Sequence, residues 1–227
     1  MTTESTRIKV WDLPTRIFHW SLALSFLGAY ITSEGERMRA IHVMFGYTVL
    51  GLVAFRIMWG LIGTHHARFA SFITGPAKIK SYLQSLLRRA PEHHVGHNPA
   101  GALAIVVLLL LGISTPALGL LAYNDIGPEW IGDVHQIVAN GMMAMVAVHL
   151  AGVVVSSFLH RENLARAMLT GYKLGATSEG IGGTRRIIGI LLLLAVIGFW
   201  VGYGWTNPGV LQAATQQATG QTDGDDD

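Results

Sequence analysis

An all-α integral membrane protein is the fold class this sequence predicts, on three observations. Of the 227 residues, 51% are hydrophobic and 13% charged, too few charges to cover a water-facing surface. The apolar residues collect in long runs. Residues 105–113 and 187–201 carry no charge, and each lies inside a stretch long enough to cross a hydrocarbon layer of ~30 Å. Basic residues concentrate in alternate loops, the pattern of a multi-pass chain. The architecture expected is a four-transmembrane-helix bundle with a fifth, C-terminal transmembrane helix.

The first span is predicted at residues 16–32. Its apolar run ends at Ser33-Glu34-Gly35-Glu36 and not at a small-x-small cleavage site, so it is expected to stay as a helix and not be removed as a signal peptide. The second span falls at 40–62. The segment 79–87 is too short to cross; with Lys78, Lys80, Arg88 and Arg89 at its edges it reads as an amphipathic helix on the membrane surface. Spans three, four and five follow at 101–123, 134–158 and 187–205. This divides the chain into a core at 1–175, a linker with the fifth helix at 176–206, and a tail at 207–227. The tail is rich in Gln, Thr, Gly and Asp and closes on Asp225-Asp226-Asp227, with little to bury; it is expected to be disordered and external.

Orientation follows from the loops. Arg7, Lys9 and Arg16 precede or open span one. Arg68, Lys78, Lys80, Arg88 and Arg89 lie between spans two and three, and Arg161, Arg166, Lys173, Arg185 and Arg186 between four and five. The opposite side has Arg37 and Arg39, and Asp125, Glu129 and Asp133 without a basic residue. The N-terminus is therefore expected in the cytoplasm and the C-terminus outside.

The chain has no cysteine, which excludes disulfides, iron–sulfur clusters, thiolate-ligated haem and covalent c-type haem. A formal net charge of +2 with no dense basic stripe excludes a nucleic-acid surface. Nothing in the sequence sets an oligomeric state.

Four histidines fall within spans, where an ionisable side chain is costly and marks function: His19, His42, His135 and His149. His135 and His149 are 14 residues apart, about 21 Å along a helix and within ~40° of the same azimuth. One helix thus offers two imidazoles at two depths on one side. Span one runs outward and brings His19 to the inner level of His149; span two runs inward and brings His42 to the outer level of His135. Two facing imidazoles do not complete a zinc site. They suit a b-type haem, which takes two axial imidazoles, apolar packing and a partner for its propionates. A di-haem bundle with two haem b is the expectation, His42 and His135 on the outer iron and His19 and His149 on the inner, the irons about 20 Å apart.

Arg16 lies one turn before His19 and is expected to pair with a propionate. Arg56 follows His42 by 14 residues, on the same face at the inner level, where a propionate or a quinone carbonyl would serve it. Gly46, Gly112, Gly119, Gly141 and Gly152 permit a macrocycle or a helix to come close. His65, His66, His93, His94, His97 and His160 fall in loops or at their edges and are left out of the ligand set, His93, His94 and His97 forming at most an adventitious metal site.

Several motifs in order resemble the bacterial cytochrome b561 and nickel–iron hydrogenase cytochrome b superfamily. They are Val10-Trp11-Asp12-Leu13-Pro14-Thr15-Arg16-Ile17-Phe18-His19-Trp20, His42-Val43-Met44-Phe45-Gly46-Tyr47, Arg56-Ile57-Met58-Trp59-Gly60 and Gly96-His97-Asn98-Pro99-Ala100-Gly101. The stretch from His149 through His160-Arg161-Glu162-Asn163 to Met168-Leu169-Thr170-Gly171-Tyr172-Lys173 completes them. The resemblance spans residues 9–175. It implies a four-helix di-haem core exchanging electrons with membrane quinone, and His19, His42, His135 and His149 as axial ligands. The activity expected is electron transfer between the quinone pool and a periplasmic redox partner such as a cytochrome c. Alternatives are a stand-alone quinone-reducing oxidase of a small reductant such as superoxide, and the membrane anchor of a hydrogenase-type complex. Glu34 and Glu36 offset Arg37 and Arg39 beside His42, which weakens a cationic funnel for superoxide. A transporter relaying protons through the histidines would show no haem spectrum.

Overall fold

The computed structural model describes residues 6–88 and 94–210. Strand β1 (Thr6–Lys9) leads into helix α1 (Leu13–Ile31). The helix starts where the Asp12 carboxylate accepts the Thr15 amide at 2.8 Å, with Pro14 in the first turn, so the orphan amides of a helix end are met by a cap and by a residue that has none. Helix α2 (Arg39–Ile62) runs back antiparallel to α1, and two short 3-10 turns then lead to α3 (Pro76–Leu87). Helix α4 (Pro99–Tyr123) begins at an Asn98 cap on the Gly101 amide, 2.7 Å. Helix α5 (Ile131–His160), short helix α6 (Leu164–Thr170), strand β2 (Tyr172–Gly175) and helix α7 (Arg186–Thr206) complete the order. The end of the bundle that carries β1 is the basal end and the opposite one the distal end.

Among the described residues four helices are long and apolar enough to cross a membrane: α2 with the turn before it, α4, α5 and α7. They leave Leu110, Val154, Phe158, Ile187, Leu194 and Trp205 more than half exposed, a surface made for lipid. Helix α1 is outside that set. It packs between α2 and α7 and buries Thr15, Ser21 and Ser25; a helix walled by protein needs no uniformly apolar surface. The sequence expectation of five spans is thus met in length and apolarity by four helices.

The helices follow in the order α7, α1, α2, α4, α5, each packed on the next. Gly112 of α4 marks a close crossing with α2, because a side-chain carbon there would come within 3.0 Å of Val53 Cγ2. Phe26, Val49, Val53 and Met142 form an apolar layer across α1, α2 and α5, joined by Leu109 and Leu111 of α4. Helix α5 leans on α4 along its length and has no comparable packing on α1 or α2.

The basal end is closed by structure that the all-helical expectation lacked. Strands β1 and β2 pair antiparallel, Thr6 opposite Gly175 and Lys9 opposite Tyr172, and the Val10 and Trp11 amides both donate to the Gly171 carbonyl. Ile8, Val10, Trp11, Val95 and Ala167 form a small core beneath them. Helix α3 has the amphipathic build expected, with Tyr82 buried and Lys78, Lys80 and Leu83 exposed. The acidic tail at 211–227, Arg89 and His93 lie outside the described residues.

Candidate cofactor site

The distal histidine pair is built by four helices. His42 sits in the first turn of α2, with Nδ1 2.8 Å from the Ala29 carbonyl of α1. His135, from the start of α5, places Nδ1 2.8 Å from the Thr115 carbonyl of α4. A carbonyl only accepts, so in both rings Nδ1 carries the proton and Nε2 keeps its lone pair, the arrangement that orients an imidazole as a metal ligand. The ring centres are 6.0 Å apart at 90°. That separation would admit one metal ion ligated by both rings at ~2 Å per bond. Gly119 makes the approach possible: a side-chain carbon there would lie 2.9 Å from His135 Cε1. Val43, Gly46, Tyr47, Leu50, Pro116, Leu120 and Tyr123 line the rest of the crevice.

The basal pair joins α1 and α5. His19 and His149 lie within electrostatic reach of each other, and His19 Nδ1 is buried without a hydrogen-bond partner. Between the pairs lies the apolar layer. His42, Val49 and Arg56 descend α2, and His135, Met142 and His149 descend α5, in steps of seven residues that keep one face. The histidines that were matched by depth in the sequence are therefore brought together in the same two pairs.

The arginines have different surroundings. Arg16 is engaged with the C-terminus of α6: Nε donates to the Met168 carbonyl at 3.3 Å and Nη2 to the Leu169 carbonyl. That is a helix-capping position, and it ties α1 to α6. Arg56 is 3% exposed, its guanidinium 4.8 Å from the centre of the Phe69 ring.

Three residues were missed in the sequence. Asp12, 1% exposed, accepts from Trp59 Nε1 at 3.0 Å and Thr64 Oγ1 at 2.6 Å besides capping α1, and so staples α1 to the end of α2. Its place before Leu13-Pro14 is a helix-start signature that could have found it. His66 is buried, not solvated, with Nε2 2.8 Å from the Glu179 carbonyl; burial holds its imidazole below the usual range against that hydrogen bond. His97 packs against Trp11 and Phe72 with ring centres 4.6 and 4.5 Å away. Burial first, then the Arg56 charge, push His97 down to about 3, which leaves it neutral at physiological pH. No position in a loop motif announced either burial.

Among the described residues no three His, Cys, Asp or Glu side chains gather to hold a metal ion; of the adventitious site suggested at His93, His94 and His97, His93 lies outside the described residues. The donor set at each level is two imidazoles, with bare glycine and apolar walls at the distal one, which fits a porphyrin-bound iron.

Comparisons with known proteins agree with this chemistry. A family model described as prokaryotic cytochrome b561 matches residues 10–171. The protein named "Probable Ni/Fe-hydrogenase B-type cytochrome subunit" of Azotobacter vinelandii is 26% identical, over 75% of this chain and 90% of its own length. Its namesakes from Rhizobium leguminosarum bv. viciae and Rhodobacter capsulatus are 25% and 24% identical, over 75% and 74% of this chain and 90% and 82% of their own. No solved structure matches the chain. Apolar helices and this match together define a multi-pass membrane b-type cytochrome of electron transport. The chain belongs to the prokaryotic cytochrome b561 family.

Proposed function

We propose that this cytochrome holds two haem b, the distal one between His42 and His135 and the basal one between His19 and His149, and carries electrons through the bilayer between the quinone pool and a periplasmic redox partner. Bound haem supplies a one-electron couple that needs no proton or atom transfer at the iron. The chain does the rest. The Ala29 and Thr115 carbonyls fix the ring orientation and tautomer of the distal imidazoles and raise their basicity as ligands. Phe26, Val49, Val53 and Met142 exclude water between the levels, so that only electrons cross. The basal end, rich in Lys and Arg, faces the cytoplasm and the distal end the periplasm, with α1, α2, α4, α5 and α7 as five spans.

The observation that carries this proposal is the meeting of four intramembrane histidines as two pairs at two depths. Purified protein is expected to show a bis-histidine haem b spectrum with about two haems per chain. His42→Ala and His135→Ala should each remove the same redox centre, and His19→Ala and His149→Ala the other. If His42→Ala and His149→Ala erase one centre in common and spare the second, the pairing is wrong.

A second reading is favoured by the relatives' names: the chain is the membrane subunit of a nickel–iron hydrogenase-type complex, its distal haem taking electrons from that enzyme. Affinity purification from mild detergent separates the two. A large metalloenzyme that co-purifies in fixed ratio supports the subunit, and a haem-loaded chain alone that exchanges electrons with quinol and a soluble cytochrome supports the independent carrier.

A further inference from the structure

Beside the basal histidine pair lies a second polar site, whose meaning rests on the two-haem reading. Arg56 is 3% exposed and its Nη1 is buried with no hydrogen-bond partner. Phe69 and Phe72 wall it, with ring centres 4.8 and 6.0 Å from the guanidinium carbon. Asp12 is near enough to bias its charge, but the Asp12 oxygens are occupied by Thr15, Trp59 and Thr64. His97 also packs on Phe72, with ring centres 4.5 Å apart. Its Nδ1 is also buried without a partner, and the ring lies within electrostatic reach of both Arg56 and His149.

Two orphan nitrogens beside one phenylalanine ring, within electrostatic reach of an imidazole of the basal pair, are costly as they stand. A ligand with two acceptor oxygens and a negative charge relieves both. A quinone carbonyl can accept from both donors but brings no negative charge to balance the buried guanidinium. We propose that Arg56 and His97 jointly grip one carboxylate, a propionate of the basal haem, behind a cover of Phe69 and Phe72. The guanidinium supplies charge and an N–H, the neutral imidazole a second N–H, and the two rings keep water from competing. Arg56 then sets the potential of the basal haem, since a nearby cation favours the reduced state.

The test uses the full chain, loaded with haem labelled with ¹³C at the propionate carboxyls, and redox-difference infrared spectra. The labelled carboxylate bands are expected to shift in Arg56→Gln and in His97→Gln and to return towards the native position in Arg56→Lys. The midpoint potential of the basal haem should fall in Arg56→Gln while that of the distal haem stays. If Arg56→Gln does not accumulate, His97→Gln carries the test by the same bands. Native labelled bands in Arg56→Gln or in His97→Gln, with both haems still bound, would overturn the proposal. So would native bands accompanied by weakened binding of a quinone analogue, which would make the site a quinone pocket. A wild-type chain that takes up no haem would instead sink the two-haem reading itself, and this inference with it.

Discussion

At the scale of single residues, Gly119 decides whether the distal pair can exist. Its missing side chain is the space the His135 imidazole occupies, 2.9 Å from where a Cβ would sit. Gly119→Val is expected to push His135 off the Thr115 carbonyl and to lower haem content from about two to about one per chain, read by the pyridine haemochrome assay. Gly141→Ala is the control, because nothing lies within 4 Å of a Cβ at that position and it does not line the crevice. In the sequence the two glycines were equivalent, since close approach in a membrane helix has many causes. The histidines were legible because depth is a linear function of residue number in a helix. His97 and Asp12 were not legible as site residues, because both owe their place to side chains from other segments, Trp11 and Phe72 in one case and Trp59 and Thr64 in the other.

At the scale of elements, the helices could be read from apolar runs and caps, whereas strands of four residues carry too little periodicity to be seen. The partners in the β1–β2 ladder, such as Lys9 and Tyr172, lie at opposite ends of the core sequence, and their pairing follows from where α1 and α6 end. His66 fastens a second joint at this end by holding the turn Thr177–Glu179 through its hydrogen bond to Glu179. Burial holds the His66 pKa below its ordinary value, so the folded state favours the neutral ring. Its contribution is complete above the unfolded value of about 6.5 and is lost progressively as pH falls below that. Relative to its intrinsic rate, which itself slows in acid, amide exchange of residues 176–181 should therefore speed up between neutral pH and about pH 5. His66→Gln, which keeps a donor and does not titrate, should flatten that dependence. An exchange rate equally sensitive to acid in the variant would assign the effect elsewhere.

On the scale of the whole molecule, the charge pattern that was read along the chain becomes a difference between two ends. Arg7, Lys9, Lys78, Lys80, Arg88, Arg161 and Arg166 gather at the basal end, while Asp125, Glu129 and Asp133 occupy the distal loop. Reporter fusions are expected to give a cytoplasmic signal at the N-terminus and a periplasmic one in the Asp125–Glu129 loop; the reverse pattern would invert the assignment of both haems to their compartments. Helix number was the part least legible in composition, because α1 earns its place by packing and not by apolarity: Ser21 and Ser25 are tolerated where α2 and α7 shield them.

The lopsided support of α5 carries one more consequence. The helix rests on α4 along its length and meets α1 and α2 through side chains such as Met142 and His135, so the stretch 99–160 resembles a door on one post, with His135 and His149 on its inner panel. A flat cofactor gripped by those imidazoles would act as a bolt between panel and frame, where backbone contact is sparse.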